Sequence, residues 1–272
     1  LVREAFGLKD NRDWKMAEKR RRIQKDDAWH DKIVRCLHRP FDTRWLFYHY
    51  HAIDYGREEI MRHMLAGDNL ALITPKQHKD DFGAFVSATI GTHKTVAVYD
   101  INYYFPLYLH PDTSKNHIFN SLPENGERRP NLAPGLLPAL EDAHGHAQSP
   151  EKVFHYVYAV LYATAYREKY AQFLKIDFPR IPFTPDAALF GEMAALGERL
   201  AGLHLLDSPE LDPPVAKFWG AGQNRVERRK SDGFRYDPQT ERKYINPNQY
   251  FAPVPLELWE YEIGGHQVLH KW

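Results

Sequence analysis

Ser149-Pro-Glu-Lys-Val-Phe-His-Tyr-Val-Tyr-Ala-Val-Leu-Tyr-Ala-Thr-Ala-Tyr-Arg-Glu-Lys-Tyr170 is the stretch on which the reading of the fold turns. Ser149 suits an N-cap and Pro150 the first helical position, so a helix starts here and is expected to run to about Lys175. Phe154, Tyr158, Tyr162, Tyr166 and Tyr170 stand four residues apart and form one slowly drifting aromatic stripe. Such a stripe is either a packing seam or a row of faces on which bases stack. Thr184 and Pro185 repeat the cap arrangement, and a second helix is expected from Asp186 to about Leu205.

Working outward, the chain turns β-rich on both sides. Asn69–Thr74, Gly83–Ser87, Thr95–Tyr99 and Tyr103–Leu109 are apolar, β-branched or aromatic runs bounded by Gly, Pro, Asp and Asn. Residues 111–150 read as a polar connector punctuated by Pro111, Pro123, Pro130, Pro134, Pro138 and Pro150. Downstream, Arg225–Asn246 reads as a hairpin around Asp237-Pro-Gln-Thr240, and Leu258–Ile263 alternates with period two. At the other end, Trp14, Ala17, Ile23, Trp29, Ile33, Val34 and Leu37 recur at helical spacing, so residues 10–38 are expected to be helical with Asp10 or Asn11 as cap. Over 11–25, seven basic side chains face two acidic ones, which makes either a solvated face or a phosphate-facing one. The expected fold class is α+β: a mixed β-rich region with a helical insert of two long helices, preceded by an N-terminal helix.

Composition narrows the function. The 272 residues carry 36 basic and 36 acidic side chains, so binding of nucleic acid through bulk charge is excluded and local patches must carry it. Aromatics at 14% with balanced charge exclude a disordered chain. No run of about 18 apolar residues suggests a membrane span. Cys36 stands alone, which excludes an internal disulfide and a Cys-rich zinc site, and a reducing, cytoplasmic setting is expected. With Leu1 first and Trp272 soon after the stretch Gln267-Val268-Leu269, both ends read as cut from a longer chain.

Catalytic motifs do not assemble. Asp212-Pro-Pro214 starts like the D-P-P-Y loop of amino-methyltransferases, but Val215 stands where an aromatic ring must follow. Phe218-Trp-Gly-Ala-Gly222 resembles the F-x-G-x-G turn beside a nucleoside cofactor, yet it lies only a few residues away instead of whole βα units away. A bare GxG is weak evidence. The pairs His144/His146 and His49/His51 lack the helical spacing of H-E-x-x-H. Asp80, Asp81 and Lys94 make a poor nuclease set, and no P-loop or G-x-S-x-G occurs.

What remains is a set of polar loops at strand ends. Lys76, Gln77, His78 and Lys79 follow one β run; Thr92, His93 and Lys94 precede the next; Asn102, Tyr103 and Tyr104 open the last. Gln and Asn can pair bidentately with adenine, Lys can reach guanine, and the rest suit phosphate contacts, although ordinary polar loops look the same.

Arg39-Pro-Phe-Asp-Thr-Arg44 followed by Phe47-Tyr48 resembles the R-P-F-D-x-R…Y element just after the methyltransferase domain of type ISP restriction-modification enzymes. Those are single-polypeptide, type I-like enzymes that join nuclease, helicase, methyltransferase and target-recognition parts. The resemblance continues in Asn69-Leu70, Phe105–Leu109, Phe154–Leu161, Tyr166-Arg167, Asp177–Pro182, Tyr244-Ile-Asn246 and Ile263–Leu269. It implies a C-terminal target-recognition (specificity) domain over 39–272, with a β-rich part at 39–148, a helical part at 149–206 and a β-rich part at 207–272. Residues 1–38 would be the helical join to an upstream methyltransferase domain of the same polypeptide. Duplex DNA is the implied partner and no membrane is. The chain itself would hold no catalytic residue, metal or cofactor; S-adenosylmethionine, ATP and Mg would serve other parts of an adenine-methylating, ATP-dependent nuclease. Arg39 and Arg44 either hold a turn through an Arg–Asp pair or touch phosphate, and Arg228 and Arg229 within the basic run Arg225–Lys230 are further phosphate candidates. The rival reading is a protein-docking or coupler module whose aromatic helix packs on a partner and touches no DNA.

Overall fold

Short β-branched and aromatic runs cannot build one wide sheet, and the chain instead forms several small ones. The computed structural model describes residues 7, 9–10, 15–79, 81–111, 127–228 and 233–271. Helix α1 (Met16–Ile23) and a 3-10 turn (Trp29–Lys32) lead into β1 (Ile33–Arg39), β2 (Asp42–Phe47) and α2 (Glu58–Leu65). Next come β3 (Ala71–Pro75), β4 (Phe85–Ser87), β5 (Ile90–Gly91), β6 (Asn102–Pro106), β7 (Tyr108–Leu109) and β8 (Arg129–Pro130). Helices α3 (Leu136–His144), α4 (Pro150–Tyr162), α5 (Thr164–Lys169), α6 (Ala171–Leu174) and α7 (Ala187–Leu205) follow. The last part holds β9 (Lys217–Trp219), β10 (Tyr236–Asp237), β11 (Arg242–Asn246), β12 (Gln249–Ala252), α8 (Leu256–Trp259), β13 (Glu262–Ile263), β14 (His266–Gln267) and α9 (Val268–Lys271). Sheets run β2-β1-β5, β4-β3-β6 and β10-β11-β12-β9, with two-stranded pairs β7-β8 and β13-β14. The fold is α+β, as the sequence indicates. Among the described residues no helix is long and apolar enough to cross a membrane.

The aromatic stripe is a packing seam. Ser149 caps α4, its hydroxyl accepting the Lys152 N–H at 3.2 Å. Phe154, Tyr158 and Tyr166 are buried, and the tyrosine hydroxyls of α4 and α5 are hydrogen-bonded within the chain. Tyr158 bonds His204 Nδ1 at 2.6 Å, Tyr162 donates to the Ala84 carbonyl at 2.6 Å, and Tyr166 donates to that of Arg180 at 3.0 Å. The Tyr162 bond ties the helical part to the start of β4. Helix α7 closes on α4 at Gly197, where a Cβ would lie 1.9 Å from the His155 carbonyl oxygen, so only hydrogen fits there. The rival docking module therefore lacks its surface: the stripe is consumed inside the chain.

Several local expectations give way to tertiary structure. Ile33, Val34 and Leu37 lie in β1, not in a helix over 10–38; Cys36 and Leu37 are buried there, and β1 bonds β2 antiparallel and β5 in parallel. Within the described residues the N-terminal helix is Met16–Ile23 with Lys15 and not Asp10 at its N-cap position, although the Met16 N–H donates to Asp10 Oδ1 at 3.0 Å; Asn11 and Trp14 lie outside the described residues. The helix from Ser149 stops at Ala163, whose ψ of 122° is extended, and continues as the short α5 and α6. Asp186, not Thr184, caps α7, accepting from Ala188 and Leu189. Thr95–Tyr99 forms no strand although Val96 and Ala97 are buried, because the Val96 carbonyl sits on two glycines instead of a ladder. A Cβ at Gly264 (φ +57°) would lie 1.7 Å from that oxygen, and one at Gly83 2.3 Å. Leu258–Ile263 splits between α8 and β13, while the hairpin around Asp237–Thr240 forms as β10-β11.

Burial holds His204 and His266 as neutral imidazoles, each pushed down to about 4. An unfolded imidazole takes up a proton near pH 6.5 that these folded ones refuse, so their stabilisation is full above that value and is lost as pH falls towards 4. By this linkage each costs about 2 kcal/mol at pH 5. Urea midpoints should therefore drop between pH 7 and pH 5, and His204→Gln should remove part of that drop; a pH-independent midpoint contradicts the buried neutral state.

Candidate nucleic-acid interface

Antiparallel register gathers the polar loops at one end of the β4-β3-β6 sheet. Pro75 faces Asn102 and Thr74 faces Tyr103 across β3 and β6, while Ile73 faces Phe85 across β3 and β4. Residues 76–79 therefore leave the sheet, and 81–84 re-enter it, at the end where β6 begins. The 92–101 loop joins them there through the Asn102 N–H, which donates to the His93 carbonyl at 2.9 Å. Lys76, Gln77, Lys79 and His93 are exposed on this end, with Lys94 and Thr92 half-buried.

Several of the sequence candidates hold this end together. Asn102 is fully buried, its Oδ1 accepting the Val96 N–H at 2.6 Å while its own carbonyl accepts from Arg57 at 2.8 Å. It fixes two loops to each other and has no face towards solvent. His78 is likewise buried, against the Phe82 ring. Thr92 donates its hydroxyl to the His38 carbonyl at 3.1 Å, and Arg39 bonds that same carbonyl at 2.6 Å and the Thr92 hydroxyl at 3.5 Å, so Arg39 joins β1 to this loop. Lys94 Nζ donates to the Tyr99 carbonyl and its own carbonyl accepts from His266 at 3.3 Å.

The remaining candidates lie elsewhere. Arg44 grips Asp42 with two nitrogens at 2.6–3.0 Å, so the Arg–Asp pair of the turn is made by Arg44 and not by Arg39. With Arg44 59% exposed, that pair is worth no more than about 1 kcal/mol. Arg228 donates to the His270 carbonyl at 3.0 Å and lies over Phe234, in the C-terminal part. Arg229 lies outside the described residues.

An aromatic surface that the sequence reading missed borders the loops. Strand β6 alternates buried and exposed residues, presenting Tyr103 and Phe105 to solvent. Phe178, on the segment returning from α6, meets both rings edge to face with centroids 5.0 and 5.5 Å apart. Lys76 Nζ stands 5.9 Å from the Phe178 centroid. Tyr99, Ile101 and Ile176 are also at least half exposed. Contiguous apolar surface of this kind marks interaction sites more often than idle surface. Beside it, Lys79, Tyr99 and Lys175 share a concavity of about 490 Å³ with Asp81 and Glu262.

The local field is positive. His93 and His38 are held below their ordinary range, by desolvation first and then by neighbouring cations: Arg57, Lys94 and Arg39 for His93, Arg39 and Arg44 for His38. His93 is thus neutral at neutral pH and can both donate and accept.

The methyltransferase-like stretch proves structural. Phe218 and Trp219 lie in β9, paired with Phe251 and Tyr250 of β12. A Cβ at Gly220 would lie 2.0 Å from the Asn248 carbonyl oxygen and one at Gly222 2.6 Å from Gln249 Oε1, so these glycines fit protein and leave no cradle for a nucleoside. His144 and His49 are taken up by the Thr184 carbonyl and by Asp26, and no metal-binding cluster occurs among the described residues.

Comparison with known proteins places the chain in a family. The family Type ISP C-terminal specificity domain matches residues 1–272. Among solved structures, a cryo-EM structure of a DrdV–DNA complex matches with a TM-score of 0.68 at 25% identity, covering 89% of this chain and 24% of that one. The ATP-dependent Type ISP restriction-modification enzyme LlaBIII bound to DNA matches with TM-score 0.67 at 19% identity, covering 95% and 16%. A nuclease-deletion mutant of the Type ISP restriction-modification enzyme LlaGI, in complex with a DNA substrate mimic, matches with TM-score 0.63 at 20% identity, covering 92% and 17%. The chain thus spans a quarter or less of these structures' chains. No curated protein matches it.

Asn102→Ala should leave the buried Val96 N–H unpaired and cost about 1–3 kcal/mol, read as a lower thermal or urea midpoint. Arg44→Ala should change the midpoint by no more than about 1 kcal/mol.

Proposed function

Because the chain belongs to the Type ISP C-terminal specificity domain family, we propose that it reads the target sequence of duplex DNA through the loops at the open end of the β4-β3-β6 sheet. The observation that carries this reading is their convergence: Lys76, Gln77 and Lys79 stand with His93, Lys94 and Tyr103 at one sheet end, beside the exposed Tyr103–Phe105–Phe178 surface. Gln77 suits bidentate contact with adenine, and neutral His93 suits either sign of base-edge partner. Lys79 and Lys175 supply phosphate charge at the concavity they share. The aromatic rings offer apolar contact to thymine methyl groups. Asn102, His78, Thr92 and Arg39 act one step back, holding the loops in position.

Such a domain performs no bond chemistry. In the whole enzyme it would set an upstream methyltransferase part on its site while an adenine is extruded, with S-adenosylmethionine, ATP and Mg used by those other parts. The zero net charge fits this division, since the neighbouring parts share the backbone grip.

Gln77→Ala should change which duplex sequence is preferred. Lys79→Ala should instead weaken all duplexes alike and flatten the dependence of log K on log salt by about 0.9. Equilibrium binding to a panel of duplexes at several salt concentrations separates the two. Unchanged preference after alanine substitution at each of 76–79, 92–94 and 103 would remove these loops from the recognition site.

A further inference from the structure

Helix α1 is hard to explain by packing. None of its residues is buried, and its outward side carries Arg20, Arg21, Arg22 and, just past its end, Lys25. Glu18 answers only Arg22, at 2.5 Å, and Arg21 turns back to the Ala17 carbonyl at 3.3 Å. Arg20 and Lys25 have no side-chain partner among the described residues. Only Met16, Lys19 and Ile23 are partly covered, so the helix derives little stability from the core and its guanidinium groups are left facing solvent.

Its position points to the same face as the reading loops. Lys19 Nζ lies 5.7 Å from the Tyr50 ring centroid, and both residues line a cleft of about 760 Å³ that also takes in Tyr55 and Arg57. Arg57 reaches across to the Asn102 carbonyl at 2.8 Å, the first residue of β6 and the hinge of the recognition end. Tyr50 is 69% and Tyr55 90% exposed. Asp54, Glu58 and Glu59 line the cleft too and repel phosphate, and Arg57 is engaged with the Asn102 carbonyl, so the cations open to phosphate beside the cleft are those of α1. The positive field of α1 is felt locally, since His51 is held below its ordinary range by desolvation and then by Arg22 and Lys19.

We infer that α1 is a second backbone clamp, its Arg20, Arg21 and Lys25 holding phosphates of the duplex outside the segment that the sheet-end loops read. This rests on the proposed recognition function and adds to it a sequence-independent surface. A polyanion fits α1 better than a protein does. Protein interfaces are built around an apolar, charge-depleted centre, and the outward side of α1 has none. Guanidinium groups match phosphate oxygens in pairs, and the charge that a neutral chain lacks overall is concentrated here.

The test is the triple substitution Arg20→Gln, Arg21→Gln and Lys25→Gln in the full 272-residue chain. Gln is as good a helix former as Lys or Arg, and circular dichroism and a thermal melt confirm that the fold persists. The readout is log K for duplex against log salt, together with the sequences enriched from a randomised duplex pool. The inference expects the slope to flatten by about 0.9 for each phosphate no longer neutralised, hence by up to about 3, with the enriched sequence unchanged. A folded variant with the slope of the unsubstituted chain overturns it, and so does a changed sequence preference. Loss of binding to an acidic protein segment with the slope intact would also overturn it, in favour of protein docking. If the unsubstituted chain binds no duplex at any salt, the recognition reading falls and the clamp with it. Single substitutions, each flattening the slope by about 0.9, would apportion the charge among the three side chains.

Discussion

The Val96 peptide N–H lies in the interior, where a donor left without a partner is costly, and Asn102 Oδ1 accepts it at 2.6 Å. On that hydrogen bond the geometry of the open end of the β4-β3-β6 sheet depends. The Val96 carbonyl cannot join a ladder, because Gly83 and Gly264 press against it from two other parts of the chain. The 92–101 loop is thereby fastened to the start of β6, to the loop after β3 and to the β13-β14 turn. Arg57 and Arg39 extend the fastening to α2's entry and to β1. Side chains that project from a loop so held are fixed in direction, which sequence-specific contact requires.

The helical part serves the same end from behind. Tyr158, Tyr162 and Tyr166 use their rings for packing and their hydroxyls as ties, and Tyr162 reaches Ala84 beside the β3–β4 loop. The chain leaving α6 then brings Phe178 onto Tyr103 and Phe105. A helical insert within a β-rich chain thus both backs the sheet and completes the exposed aromatic surface at its open end.

Where local chemistry decides the structure, the sequence is readable. Ser149 and Pro150 start α4 through a local cap, and Asp237 holds its turn by accepting from the Gln239 N–H and the Thr240 hydroxyl. Ile33, Val34 and Leu37 mislead because their spacing suits a helix as well as a strand, and pairing with β2, and at Cys36 and Leu37 with the distant Ile90 and Gly91, decides between them. Thr95–Tyr99 misleads because its burial comes from glycines far along the chain. The site follows the same division. Lys76, Gln77, Lys79 and His93 are legible as polar residues at strand ends. That Asn102 turns inward while Phe105 and Phe178 meet outside depends on β6 register and on the path of 175–186, neither of which spacing reveals.

A neutral chain whose family is defined by specificity domains must obtain its DNA contacts from placement of charge, not quantity. The proposed reading loops at one sheet end and the inferred clamp helix beside a cleft are a concrete form of such placement. The direct test is selection of bound duplexes from a randomised pool by this chain, carried out at two salt concentrations. Enrichment of one short, asymmetric sequence at both salts, with weaker capture at the higher, is the predicted result. Capture that is absent at both salts, or salt-sensitive with no sequence enriched, would contradict the claim that this chain alone reads DNA sequence.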